Sequence, residues 1–229
     1  MKLFALLSIF LLAEGAFGVD RRLDLQAKRI HESAALLAEI MNAEERSIPR
    51  DLLEKAHCVG IVPNLKRAGF IEGAKEGAGV ITCRHKESRA GWSAPSTICV
   101  EGGSIGFQIG LGETDVIFVV MDKNGEDAFL KDKFTVGADA SAAGPVGRPA
   151  DAQTDAIMST KILAYSRSGG VFAGVTLDGV TLRPDNDGNR QIYGYEATQG
   201  EILRGKVQPP ASAGELFSEL NRYAPVQTK

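Results

Sequence analysis

The chain has three cysteines and three histidines in 229 residues, and neither set is spaced for metal or nucleophilic chemistry. There is no CxxC pair and no two histidines stand at ligand spacing, so a structural zinc site has no framework. HExxH is absent, Ser93 in GWSAP lacks the GxSxG frame of a nucleophile elbow, and no GK[ST] follows any glycine-rich run. His57 precedes Cys58, but neighbours on a strand point to opposite faces, which keeps them from working as base and nucleophile. His31 and His85 have no sequence partner that would form a relay. Charge of one sign is also missing: 26 Lys and Arg against 29 Asp and Glu leave a net −3, which excludes wholesale attraction to polyanions and confines any anion binding to a local patch. The expectation is a protein without catalytic residues, metal or cofactor. No internal repeat or second domain is visible.

What the chain does have is glycine among strand formers. In Gly91 to Gly112, GWSAPSTICVEGGSIGFQIGLG, β-branched and aromatic residues are interrupted by Gly102, Gly103, Gly106, Gly110 and Gly112, the mark of bulges, sheet bends and close backbone approaches. These glycines lead into further strands, Phe107 to Leu111 and Asp115 to Met121, and not into the helix that a phosphate cradle needs. Cys58 to Arg84 reads as strand, turn, strand. Ile157 to Ser166, Gly170 to Leu177 and Val180 to Arg183 supply the closing strands, the last two joined at Asp178-Gly179. With 44% hydrophobic residues the chain can bury a proper core. The fold class expected is α+β: one β-rich domain of mainly antiparallel, glycine-bent strands with an N-terminal amphipathic helix and a short C-terminal helix.

The N-terminal helix follows from Leu23, Ala27, Ile30, Ala34, Leu37 and Met41, apolar at three- and four-residue intervals. Arg21, Arg22, Lys28 and Arg29 crowd its start, so it either packs on the domain or lies in a membrane interface with its basic end at the headgroups. A short helix starts near Pro49 and ends before His57, and EDAFLKDK forms a brief one after the turn at Asp122 to Gly125. Ser212 with Glu215 reads as a capping box opening a terminal helix over Ala213 to Tyr223, tethered by Pro209-Pro210. Lys2, the apolar run Leu3 to Ala13 and the small residues of Ala16-Phe17-Gly18 fit a cleaved export signal. The division expected is therefore 1–18 signal, 19–204 domain and 205–229 tether and helix, in a secreted or periplasmic protein. Export permits a disulfide. Cys83 and Cys99 flank the hairpin-like segment around Gly91 and are the expected pair, with three pairings possible, and free buried thiols as the alternative.

Asp185-Asn186-Asp187-Gly188-Asn189 resembles a calcium loop at positions 1, 3 and 5, with Glu196 at 12. Its glycine stands at position 4 where 6 is required, and its flanks read as strands, so a polar hairpin turn accounts for it.

Several stretches together resemble the SYLF domain family, a lipid-binding domain also described as a yeast actin-binding domain: AGFIEGAKEGAGV (68–80), GWSAPS (91–96), GGSIGFQIG (102–110), DVIFVVM (115–121), KFTVGADASAAGPVGR (133–148), YSRSGGVFAGVTLDG (165–179) and NRQIYG (189–194). They occur in the family's order and cover nearly everything from the first helix to Tyr195. The resemblance implies a compact α+β domain without known catalysis, whose eukaryotic relatives bind phosphoinositides and in some cases actin, using an N-terminal amphipathic helix and basic residues. Charge chemistry nominates Lys66, Arg67, Lys75, Arg148 and Arg167 as headgroup ligands beside the basic start of the helix. An exported chain would not meet cytosolic actin, so an anionic phospholipid membrane is the expected partner, with an envelope protein as the alternative.

Overall fold

The computed structural model describes residues 4–43, 48–68, 72–85, 88, 90–105, 112–131, 133–135, 142–143, 162–168, 171–172 and 180–225, without the side chains of 4–22, 67–76, 103–105, 112, 142–143, 166, 168 and 171–172. Among the described residues nine strands form one sheet: β1 Cys58–Ala68, β2 Glu72–Cys83, β3 Ser96–Ile105, β4 Gly112–Val120, β5 Phe134–Thr135, β6 Ala142–Ala143, β7 Ile162–Ser168, β8 Val171–Phe172 and β9 Thr181–Pro184. Their order is β5-β9-β3-β2-β1-β4-β7-β6, with β8 beside β7, and every pairing is antiparallel except β6 with β7. The helices are α1 Phe4–Asn42, α2 Arg50–Lys55, α3 Lys123–Phe129, α4 Asn186–Tyr193, α5 Gln199–Leu203 and α6 Gly214–Tyr223. This is the α+β, glycine-bent antiparallel architecture expected from the strand and helix patterns.

Both faces of the central strands are buried, which is why their sequences run apolar without a polar alternate. Val59 and Ile61 of β1, Ile117 and Val119 of β4, and Leu163 and Tyr165 of β7 pack under α1, α2 and α6. The opposite face, with Cys58, Val62, Val116, Phe118, Val120 and Ile162, is closed by Phe129 of α3, Phe134, Leu182 and Leu203. The α1 stripe is buried at Ile30, Ala34, Leu37 and Met41 and widened by Leu36 and Ile40. Terminal helix α6 belongs to the same core through Leu216, Phe217, Leu220 and Tyr223, whose hydroxyl donates to Asn42 Oδ1 at 3.0 Å. The glycine pattern has a steric cause at Gly79, where a Cβ would collide with the Ile61 carbonyl across the β1/β2 pair.

Three expectations are corrected. The disulfide joins Cys58 to Cys83, not Cys83 to Cys99, because Cys58 and Cys83 stand directly opposite each other on β1 and β2. Cys99, five positions from Cys83 in β2 register, faces Ala78 and stays a free, half-buried thiol. The turn expected at 185–189 is the start of α4: Asp185 is its N-cap, accepting from the Gly188 N–H at 2.9 Å, and Gly194 with φ +75° closes it. The capping box expected at Ser212 and Glu215 is found instead at Thr198 and Glu201, opening α5. Ala211–Ala213 forms a 3₁₀ turn after the two prolines, so Ser212 lies inside that turn and Glu215 is turned to His31 at 2.6 Å. The hairpin expected at Asp178-Gly179, the strand at Phe107 to Leu111 and Arg148 lie outside the described residues.

Candidate functional site

The nominated cations divide by their surroundings. Arg167 of β7 lies against Asp115 of β4, its register partner, at 3.0 Å, and against Glu39 of α1 at 2.6 Å, with 16% of its side chain exposed. This hydrogen-bonded pairing holds the Arg167 guanidinium pKa above its usual range and, in turn, keeps the Glu39 carboxyl below the usual carboxylate range. Arg29 of α1 donates to Asp185 Oδ2 at 2.8 Å in a partly buried pair, tying the helix to the start of α4. Gln26 donates to Gln191 Oε1 at 2.9 Å beside it. Asp185 therefore has one carboxylate oxygen on Gly188 N–H and the other on Arg29, and Asn189, fully buried, accepts from Thr97 N–H at 2.8 Å. These engagements leave a calcium loop without its first and third oxygen ligands.

Lys66 is exposed on β1 and stands in register between Glu76 of β2 and Glu113 of β4. One step on, Arg67 and Lys75 are register partners. The strands thus bring Lys66, Arg67, Lys75 and Arg167 to one end of the sheet, interleaved with Glu76, Glu113 and Asp115. The other group sits on α1. Arg21 and Arg22 precede Leu23 on the helix, and Lys28 is exposed with Glu32 at 3.5 Å.

The second group stands where the protein body ends. Gln26 is the first buried residue of α1 among those described, and before it both Leu23 and Leu25 are open to solvent, 41% and 57% exposed. At 3.6 residues per turn these two leucines point to nearly opposite sides of the helix, so no single packing surface could bury both. Tyr195, 53% exposed, is the third exposed large hydrophobic among the described residues and directly follows α4. Between Leu23 and the last turn of α4 runs an open cleft of about 630 Å³, lined also by Asp187, Arg190, Gln191, Ile192, Tyr193 and Gly194. Tyr193 anchors its floor by donating to the Pro95 carbonyl at 2.6 Å, and burial pushes its phenol pKa up. Arg190 stands at the rim, 53% exposed, with Asp187 at 2.6 Å and Glu196 at 3.5 Å. Sequence reasoning found the helix and its basic start but missed Tyr195 and the cleft, because the calcium-like frame of Asp185 to Asn189 hid a helix whose visible signal was an Asp N-cap with Gly194 at its end.

No helix among the described residues is long and apolar enough to cross a membrane. A family model described as "Las17-binding protein actin regulator", Ysc84, matches residues 101–223. The chain is 33% identical over 215 residues to LAS seventeen-binding protein 3 of Saccharomyces cerevisiae, covering 90% of this chain and 46% of that one. It is 35% identical over 184 residues to Protein YSC84 of the same yeast, covering 79% and 39%. With the human SH3 domain-containing YSC84-like protein 1 it shares 30% over 209 residues, covering 90% and 60%. The chain spans about half the length of these curated relatives. The name of the first gives a binding partner and that of the human relative an SH3 domain. A match over more than half of the chain, reaching from the middle of β3 to the last residue of α6, means that this protein belongs to the Ysc84, or SYLF, family.

Proposed function

We propose that the protein binds anionic phospholipid at a membrane surface, without catalysis, through the part of α1 that precedes Gln26. The observation that carries this reading is the exposure of Leu23 and Leu25 where the body ends, in the stretch of α1 that also carries the basic residues Arg21, Arg22 and Lys28. Exposed leucines beside cations suit an interfacial helix, which buries apolar side chains at the acyl boundary and keeps charges among the headgroups. Tyrosine favours the same boundary. Lys66, Arg67 and Lys75 at the sheet end supply a second place for a phosphoinositide-like or other anionic headgroup, whereas Arg29 and Arg167 are held by internal carboxylates and act as structural ties. Export to an oxidising compartment fits the Cys58–Cys83 bridge, since cytosolic thiols are kept reduced.

Vesicle flotation of the full chain tests the reading. Anionic vesicles should bind it more tightly than neutral ones, and the preference should shrink as salt rises. Partial burial of one leucine is worth about 1 kcal/mol, so Leu25→Asp, on the side of α1 turned away from the cleft, should weaken vesicle binding at least about fivefold. No anionic preference at low salt would sink the reading. A protein partner is the second reading, favoured by a family description that names actin regulation and a yeast relative named for binding Las17. A stoichiometric protein partner that survives high salt, from a protein that ignores vesicles, would establish it in place of the first.

A further inference from the structure

We propose that the cleft between Leu23 and the last turn of α4 holds the acyl chain of a single phospholipid; this rests on the lipid-surface reading and names what the site takes. The cleft's volume of about 630 Å³ lies within the range of small-molecule sites, which runs from roughly 300 to 1,000 Å³. Its lining is divided in the way an amphiphile requires. Leu23 lines it from α1, and Ile192 and Tyr193, both only partly buried, are among the residues that line it from α4. The Tyr193 hydroxyl is bonded to the Pro95 carbonyl and so adds no free polar group to the lining.

On the α4 wheel Asp187, Arg190 and Gln191 share one arc of about 100°, apart from Ile192 and Tyr193. The Arg190 guanidinium has five N–H donors: one donates to Asp187 at 2.6 Å, and Glu196 lies at 3.5 Å from another. The longer contact is the weaker, and a lipid phosphate competes with Glu196 for that edge of the fork. The C-terminal carbonyls of α4 and the Asp187 carboxylate make the rim unsuited to a bare anion. Recognition must therefore come mainly from the tail, with Arg190 orienting the head. Gly194 adds room at the cleft's end: it has positive φ, and a Cβ there would meet nothing within 4 Å.

The geometry also explains why Leu23 is exposed while Gln26, one turn on, is buried. The Gln26–Gln191 and Arg29–Asp185 bonds hold α1 against α4, and towards the N-terminus the two elements part to leave the cleft. A lipid leaving the bilayer beside Leu23 would enter there without a change of fold.

The test is calorimetric titration of the full chain with dihexanoylphosphatidylglycerol below its critical micelle concentration, with glycerol phosphate as the headgroup control. The expected result is 1:1 binding with a negative heat-capacity change, the signature of apolar burial, and at least tenfold weaker binding of glycerol phosphate. Ile192→Trp, which fills the cleft, should weaken lipid binding at least tenfold while flotation on anionic vesicles persists. Leu23→Gln, at an exposed position that leaves folding intact, should weaken it several-fold and serves if the tryptophan variant does not fold. Glycerol phosphate binding as tightly as the lipid, or Ile192→Trp folding and binding the lipid unchanged, would overturn the proposal. Flotation without uptake of the monomer overturns the cleft and leaves the surface reading in place. Uptake of the monomer without flotation overturns the surface reading and leaves the cleft.

Discussion

Replacing Arg167 by methionine should unfold the protein more readily and leave its vesicle flotation unchanged. Arg167 and Asp115 are 16% and 17% exposed, so removing the guanidinium strands a mostly buried carboxylate. Deleting one partner of a fully buried pair costs about 3–5 kcal/mol. Partial exposure and the second partner, Glu39 at 62% exposure, argue for the lower side, about 2 kcal/mol with at most about 1 from the Glu39 arm. For a chain of this size that is a fall in Tm of about 4–8 °C. Asp115→Asn alone should cost less, because the amide that replaces the carboxylate carries no stranded charge. The double variant Arg167→Met, Asp115→Asn should recover part of the loss, so a urea-unfolding cycle isolates the coupling. The pH dependence has a definite sign. Arg167 is protonated throughout, and the Glu39 carboxyl titrates below its ordinary value in the folded state, so its contribution is complete above about pH 5 and disappears as the pH falls through the folded pKa. Weakened vesicle flotation by Arg167→Met, with an unchanged urea midpoint, would show that the side chain serves a ligand and refute the assignment.

Reducing the Cys58–Cys83 bridge opens a loop with a sequence separation of 25, which chain entropy values at about 3 kcal/mol. Paired serine substitutions at Cys58 and Cys83 should reproduce the lowered urea midpoint, and Cys99→Ser should leave it within about 0.5 kcal/mol. Thiol titration of the unfolded, non-reduced protein should count one free cysteine. Asp185→Ala removes both the N-cap of α4 and the partner of Arg29, and should cost about 2–4 kcal/mol from a lost cap of about 1 and a stranded, partly buried arginine. Asp185→Asn keeps an acceptor for the Gly188 N–H and should recover the cap's share in the same unfolding measurement.

Local chemistry was legible where one residue type answers one physical demand. The α1 stripe from Ile30 to Met41, the DVIFVVM strand and the glycine beside Ile61 follow from periodicity, β-branching and steric room and are found in place, while Leu23 at the stripe's start is open to solvent. Partner choice was not legible. Arg29 and Arg167 look like surface cations in sequence, and only the approach of residues 156 and 52 positions away turns them into ties. The cysteine pairing failed for the same reason: proximity along the chain around Gly91 favoured Cys83 with Cys99, while strand register placed Cys58 opposite Cys83. Asn189 shows the limit from another side. Its polar side chain reads as a turn residue, yet it is fully buried and serves Ser96 and Thr97 across 92 and 93 positions.

Trp92, the chain's one tryptophan, is fully buried beneath the guanidinium of Arg84, 4.5 Å from the ring centroid, and the next residue, Ser93, hydrogen-bonds the backbone of Cys83. Arg84 in turn donates to the carbonyls of Leu53, Glu54, Ala56 and Pro225. Intrinsic fluorescence therefore watches one junction, where the second helix, the bridged hairpin and the turn that follows the terminal helix meet. Emission that stays constant while vesicles are added means the body rides unchanged on its docked helix. A shift in colour or intensity would announce that docking loosens the junction itself.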